Sequence, residues 1–168
     1  MWRKLLYMYL ILLGCILIYA ESLPQIPGVH IQATIGPITE EEYRLVQGKQ
    51  LNRADLQKLL VRLKLSDSKS MTERTLKLPD LSAPLKNLSN SRVLHQFAAE
   101  RNLPGVEEEA TAEQFVIFDA RGLDDEAIRE LYSDSVGYLI YHDRDGKQSS
   151  DTFVISSIMQ RVKSTMAQ

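Results

Sequence analysis

The sequence is almost devoid of cysteine: the one cysteine among its 168 residues is Cys15, inside an apolar run near the N-terminus. From residue 21 onward the chain therefore excludes disulfide bonds, cysteine-ligated zinc and thiol catalysis. We expect this part of the chain to be held together by ordinary packing and hydrogen bonding.

Recognised catalytic motifs are missing as well. The three histidines, His30, His95 and His142, are far apart in the sequence, and none stands in a zinc-binding His-Glu-x-x-His motif. Neither a Gly-x-Ser-x-Gly nucleophile elbow nor a glycine-rich phosphate loop occurs. The chain also lacks a basic excess: its net charge is −2, and about −4 without residues 1–20. We therefore predict no cofactor and no nucleic-acid partner.

One long apolar run is present, at residues 5–20 (LLYMYLILLGCILIYA), directly after Arg3 and Lys4. A positive start followed by such a run predicts an export signal or a membrane anchor, with the rest of the chain outside the cytoplasm. A helix over residues 5–20 would reach about 24 Å, short of the roughly 30 Å of hydrocarbon. This favours a signal peptide cleaved after Ala20 over an uncleaved anchor, which would leave the protein bound to the membrane.

A third reading of the same run is lipidation. Leu12-Leu13-Gly14-Cys15 resembles a bacterial lipobox, in which Cys15 would carry the lipid. A buried helix of a soluble domain is disfavoured, because the run has no polar face.

The remainder predicts one α/β domain over residues 29–168, preceded by a proline-containing linker at 21–28. Residues 29–35 alternate strictly between apolar and polar, which is typical of a half-buried strand. Thr39 with Glu42 forms a capping box and predicts a short helix. Residues 66–90 are rich in serine, proline and lysine and predict a long loop, within which 75–78 could form a short strand.

Two longer helices are predicted next. Leu56, Leu59, Leu60 and Leu63 recur at helical spacing, and basic residues lie between them, so residues 53–64 predict a basic amphipathic helix. Residues 91–102 predict a second helix, with Phe97 and Ala98 on its inner side.

The last third predicts an alternation of strands and helices. Residues 114–119 and 136–141 are apolar runs of strand-forming residues, and a helix begins at Asp124 or Asp125 between them. Asp143-Arg144-Asp145-Gly146 predicts a hairpin turn, followed by a return strand at 152–155 and a final helix from Ser156.

This order of elements resembles a single mixed-sheet domain of the thioredoxin-like fold. Ser89-Asn90-Ser91-Arg92 stands where redox members carry Cys-x-x-Cys, and Ser135 or Val136 stands where they carry a cis-proline. Disulfide exchange needs a thiolate, so the resemblance implies a redox-inactive relative. Some such relatives serve in bacterial envelope assemblies such as conjugative-pilus machinery.

Two groups of carboxylates are candidates for chemistry. Phe118-Asp119-Ala120-Arg121-Gly122 is similar to the aspartyl nucleophile loop of haloacid-dehalogenase-like phosphatases, although Arg121 replaces the second aspartate of that loop. Asp143, Asp145 and Asp151 are candidate calcium ligands. Their spacing does not fit an EF-hand loop, so a turn stabilised by aspartate hydrogen bonds is the alternative.

The sequence therefore favours an exported or membrane-tethered, non-enzymatic protein. We expect it to act with protein partners in a cell-envelope or secretory-pathway assembly, including secretion or conjugation machinery. One alternative is a small hydrolase or metal-binding enzyme that uses Asp119, Asp124 and Asp143. The other is a membrane-surface module that acts through the helix at 53–64.

Overall fold

The computed structural model describes residues 28–46, 51–66, 68, 71–101, 107–143 and 145–162, and Tyr9 as an isolated residue. The leader at 1–20, apart from Tyr9, lies outside these residues, as do Cys15 and nearly all of the linker at 21–28. None of the helices in the described segments has the length and apolarity needed to cross a membrane.

The described segments are rich in strands, and their helices are short. The strands are β1 (Gly28–Pro37), β2 (Leu56–Ser66), β3 (Thr72–Lys77), β4 (Val93–Arg101), β5 (Ala110–Asp119), β6 (Val136–His142), β7 (Gln148–Val154) and β8 (Met159–Arg161). The α-helices are α1 (Glu40–Leu45), α2 (Ala83–Leu88), α3 (Asp125–Leu131) and α4 (Ile155–Ile158), and 3-10 turns precede β2 and β4 at Arg53–Asp55 and Asn90–Arg92.

These strands form two sheets. The larger has five strands in the order β4-β5-β2-β1-β8, and the smaller has three in the order β3-β6-β7. Every described pairing is antiparallel except that of β1 with β8. The chain is thus a mixed α/β domain with two sheets and few helices, which confirms the predicted α/β class.

The main core lies on one face of the five-stranded sheet, which we call the inner face. Successive side chains of a strand point to opposite faces, so every second residue of β1, β2 and β5 is directed inward. Their buried side chains form one cluster with those of the smaller sheet and of the helices, including Leu63, Val116, Leu139, Phe153 and Ile128.

The opposite, outer face is covered at one end by α1. Ile38, Val46, Leu56 and Ile117 form a second buried cluster there. The predicted capping box is confirmed: Thr39 Oγ1 accepts from the Glu42 N–H at 3.2 Å, and Glu42 Oε2 accepts from the Thr39 N–H at 2.8 Å. This cap fixes the start of the helix.

The helix predicted at 53–64 is wrong, because these residues form the 3-10 turn and most of β2. β2 is hydrogen-bonded on both sides, to β1 and to β5. Its buried residues alternate at Leu59, Val61, Leu63 and Leu65, whereas the exposed Arg62 lies between two of them. Leucine spacing at 56, 59, 60 and 63 therefore mimics a helix, and pairing on both sides selects the strand. The alternative function as a membrane-surface module depended on an amphipathic helix at 53–64, and the structure has no helix there except the 3-10 turn.

The helix predicted at 91–102 is wrong too, because β4 occupies most of it and pairs with β5. The predicted loop at 66–90 contains β3 and α2, so the short strand at 75–78 is confirmed up to Lys77. The predicted final helix is wrong beyond Ile158, where α4 ends and β8 begins, and residues 163–168 lie outside the described residues. Since the thioredoxin-like resemblance depends on helices at 53–64 and 91–102, it is not confirmed.

The local signals of the last third are confirmed. Asp124 is the N-cap of α3, its Oδ1 accepting from the Ala127 N–H at 2.8 Å. β6 and β7 form the predicted hairpin, and Gly146 in its turn has φ 75°, a conformation that glycine adopts without steric cost.

Candidate functional site

A polar cavity of about 430 Å³ lies at the end of β5, where the sequence places Asp119. It is lined by Ser89, Ser91, Arg92, Asp119 and Arg121. Arg121 Nη2 donates to Asp119 Oδ2 at 2.6 Å, and its Nε donates to Oδ1 at 3.0 Å. The backbone N–H of Arg121 also donates to Oδ1 at 3.0 Å. The carboxylate is thus held in a bidentate ion pair with its neighbour two residues on.

This ion pair opposes a catalytic role for Asp119. The hydrogen bonds from Arg121 lower the pKa of the Asp119 carboxyl, so the group is a weak base whose lone pairs are already occupied. Ser89 Oγ lies 2.8 Å from Ser91 Oγ, and the described lining holds no histidine or lysine to activate either hydroxyl. The cavity therefore shows no assembled nucleophile and base.

Arg92 also holds the loop that contains Asp119 and Arg121. Its Nη1 donates to the backbone carbonyls of Asp119 at 2.9 Å and Arg121 at 3.0 Å. Gly122 follows with φ 74°. The Phe118–Gly122 motif is thus a turn between β5 and α3 that is held by hydrogen bonds and an ion pair. Its polar residues stabilise the conformation of that turn.

The other aspartates named from the sequence have separate roles. Asp124 caps α3, and Asp143 Oδ1 accepts from the backbone N–H groups of Asp145 at 3.0 Å and Lys147 at 2.8 Å in the hairpin turn. Asp151 lies on β7 and is exposed. Across the described segments, no three His, Cys, Asp or Glu side chains are arranged to hold a metal ion. The structure does not bring Asp119, Asp124 and Asp143 together at the 430 Å³ cavity, which only Asp119 lines.

A different feature stands out at the edge of the five-stranded sheet. Among the described strands, β4 is the outermost and pairs only with β5. Residues 96–101 of β4 are exposed, and Phe97 retains 43% of its surface. A long edge strand with a large apolar side chain and unpaired backbone groups is a template for pairing with another chain.

The outer face beside β4 is aromatic. Phe97 stacks on Phe115 of β5 with ring centroids 5.3 Å apart, and His95 lies 5.8 Å from the same ring. Lys58 Nζ stands 5.3 Å from the centroid of Phe115, within the range of a cation–π contact. These side chains give the exposed Phe97 a rigid support.

The three basic residues that β2 places on this outer face have carboxylate partners. Arg62 is paired with Glu113 at 2.6 Å and Lys64 with Glu109 at 2.7 Å, while Lys58 is paired with Glu42. Phosphate binding would require these lysines and the arginine to exchange those partners. These three side chains therefore do not form an uncompensated basic patch of the kind that binds nucleic acid.

A second cavity, of about 260 Å³, lies on the inner face of β4. Asp80, Gln96, Phe97, Ala98 and Gln114 line it. Gln114 Oε1 is buried and accepts no hydrogen bond from the described residues. Because a buried polar atom without a partner costs free energy, such an atom marks a place where a donor would be stabilised.

Sequence reasoning missed the edge of β4 because residues 93–101 lack a clear period of two. Both faces of β4 carry polar and apolar side chains, such as His95 and Phe97 on one face and Gln96 and Ala98 on the other. The available signal was the run at 114–119, whose apolar residues need a strand on each side of β5.

No protein-family model, curated protein or solved structure matches the chain.

Proposed function

We propose that this protein is a non-enzymatic interaction component of a cell-envelope or secretory-pathway assembly and that it engages a protein partner through β4. The observation that carries the proposal is the exposed edge of β4, with Phe97 43% exposed on its outer side. Strand addition at such an edge supplies main-chain hydrogen bonds, and the flanking side chains supply selectivity.

The aromatic support strengthens this choice of surface. Phe97 is stacked on Phe115, which also contacts His95 and Lys58. An aromatic side chain held in place before binding loses little conformational entropy when a partner packs on it. Aromatic anchors of this kind dominate the binding energy of many interfaces.

Export or tethering is the second part of the proposal and is supported by sequence alone. Residues 5–20 are uncharged and follow Arg3 and Lys4, as in segments that direct a chain across a membrane. A partner would then be met outside the cytoplasm. Cleavage after Ala20 gives a released domain, whereas retention of the leader or lipidation of Cys15 gives a tethered one.

The hydrolase alternative has less support. Of its aspartates, Asp119 is ion-paired with Arg121, Asp124 caps α3 and Asp143 accepts hydrogen bonds within a turn. Each carboxylate is used locally, so the alternative lacks a shared cleft in which acid and base could act on one substrate.

The interaction is tested by photo-crosslinking in the native cell. A photoreactive amino acid replaces Ala99, which is exposed on β4, or Glu126, which is exposed on α3. We expect crosslinks to a defined protein from position 99 and none to that protein from position 126. Equal crosslinking at both positions, or none above background at position 99, would contradict the use of β4.

Mass spectrometry of the isolated protein tests the export. A chain starting at Glu21 indicates cleavage, a modified Cys15 indicates lipidation, and an intact Met1 in the membrane fraction indicates an anchor. Full-length protein in the soluble cytoplasmic fraction would contradict this part of the proposal.

A further inference from the structure

The occupant of the β4 edge can be specified further, on the basis of the proposed function. We infer that β4 binds an extended segment of another protein in which a lysine or arginine enters the cavity lined by Asp80 and Gln114, while its sequence neighbours pack on Phe97. The inference rests on the two faces of β4, which differ in chemistry.

The inner cavity favours a cation. Asp80 Oδ1 accepts from the backbone N–H of Ser82 at 2.8 Å and from its hydroxyl at 2.7 Å. These hydrogen bonds lower the pKa of the Asp80 carboxyl, so it carries a negative charge at neutral pH. An ionised carboxylate offers about four lone-pair sites, so Asp80 keeps acceptor capacity for a ligand beside its two bonds from Ser82.

Gln114 adds an acceptor to the same cavity. Its Oε1 is buried and has no donor among the described residues, and it lines the cavity with Asp80. Lysine carries three donors and arginine five, and neither carries an acceptor. A basic side chain therefore matches both the charge of Asp80 and the unsatisfied oxygen of Gln114.

The cavity has room for one long side chain and is small for a separate ligand molecule. Its volume is about 260 Å³, below the range of about 300–1,000 Å³ in which small-molecule sites fall. It also borders β4, since Gln96 and Ala98 belong to its lining. Both size and position favour a side chain that arrives from a neighbouring strand.

The register explains how that side chain reaches Gln114. Ala98 lies directly opposite Gln114 in the β4–β5 ladder. Neighbouring strands are about 4.8 Å apart, so a residue on an added strand is separated from Gln114 by β4 alone. Because Ala98 carries only a methyl group, a lysine or arginine can extend across it.

The outer face selects the neighbouring residues. Since side chains alternate along a strand, the residues on either side of the basic one point to the outer face. There they meet Phe97, which is stacked on Phe115. Aromatic or aliphatic side chains are favoured at these positions. The partner segment thus reads apolar–basic–apolar.

The probe is a fluorescent peptide as long as β4, in which lysine alternates with valine and phenylalanine. Fluorescence anisotropy measures its binding to the folded protein. We expect saturable binding that is weakened about fivefold or more by Asp80→Asn and is unchanged by Glu126→Gln on α3. The side-chain carbonyl introduced by Asp80→Asn can still accept from Ser82, so this variant removes the charge and keeps the local turn.

Two changes to the peptide test the inference without altering the protein. Glutamate in place of lysine should abolish binding. N-methylation of the peptide amides that face β4 should abolish it as well, whereas N-methylation of the other amides should not.

A change to the protein tests the path of the basic side chain. Ala98→Leu, which fills the path across β4, should weaken binding of the lysine peptide.

Absence of saturable binding, or equal binding of the glutamate peptide, would overturn the inference. Crosslinks between Ala99 positions of two copies, together with a dimer in analytical ultracentrifugation, would overturn it too, because the occupant would be a second copy. If crosslinking from Ala99 captures a partner while the lysine peptide fails, the inference falls and the proposed function stands. If crosslinking from Ala99 fails, both fall.

Discussion

The ring of Phe153 on β7 lies over Gly137, its direct partner on β6. A Cβ atom at position 137 would lie 2.6 Å from Cε2 and 3.0 Å from Cε1 of this ring. Phe153 is 8% exposed and belongs to the main core. The missing side chain at Gly137 is therefore the space that lets an aromatic residue close this side of the core.

Gly137→Ala is predicted to destabilise the protein by about 1–2 kcal/mol, because the Phe153 ring has to move. Urea denaturation measures the change in free energy of unfolding. In a Phe153→Leu background the same substitution should cost much less, because the clashing ring is gone. Gly122→Ala is the matched control: Gly122 has φ 74° and no heavy atom within 4 Å, so its cost should not depend on Phe153.

Tyr132 and Leu81 link α3 to the segment before α2. The buried hydroxyl of Tyr132 donates to the Leu81 carbonyl at 2.6 Å. Tyr132→Phe should lower the free energy of unfolding by about 1–3 kcal/mol, since it leaves a buried carbonyl without its donor. Tyr138→Phe, at a half-buried tyrosine of β6, is the control and should be nearly neutral. Equal costs would contradict the importance of this hydrogen bond.

Burial also raises the pKa of Tyr132 above its ordinary value of 10. The unfolded tyrosine ionises first as the pH rises, so the stability that this residue contributes is complete below pH 10 and is lost above it. The free energy of unfolding, measured by urea denaturation at increasing alkaline pH, should therefore fall less steeply with pH for Tyr132→Phe than for the wild type. An unchanged slope would contradict the burial of the hydroxyl.

The Asp119–Arg121 pair predicts an acid-dependent loss of stability. Hydrogen bonds from Arg121 lower the pKa of Asp119 below its ordinary value of 3.8. Its contribution is therefore complete above pH 3.8 and is lost as the pH falls through the lowered value. Asp119→Asn should reduce stability at neutral pH and flatten the acid limb measured by thermal unfolding. Asp134→Asn, in an exposed turn, should leave that limb unchanged.

Features set by neighbouring residues could be predicted from the sequence. The Thr39–Glu42 capping box, the Asp124 cap and the Gly146 turn each depend on hydrogen bonds or backbone freedom within a few residues. The apolar runs of β5 and β6 were also recognisable, since a strand buried on both faces carries little polar interruption.

The strands β2 and β4 could not be predicted from the sequence, because their conformation depends on pairing with segments that are distant in the sequence. β2 contains leucine, lysine and arginine, which are good helix formers, and becomes a strand through β1 and β5 on its two sides. The proposed binding surface at β4 was hard to predict for the same reason. Phe97 and Gln114 are far apart in sequence, and the β4–β5 register brings them beside one cavity.

The alternation along β2 can be tested directly by comparing Val61 with Leu60. Val61 is fully buried on the inner face, and Leu60 is half-buried on the outer face. Val61→Ala should cost about 2 kcal/mol of unfolding free energy, whereas Leu60→Ala, although it removes more methylene groups, should cost less than about 1 kcal/mol. In a helix, Leu60 would share the buried face with Leu63 and Val61 would lie outside it, so a larger loss at Leu60 in urea denaturation would contradict the strand.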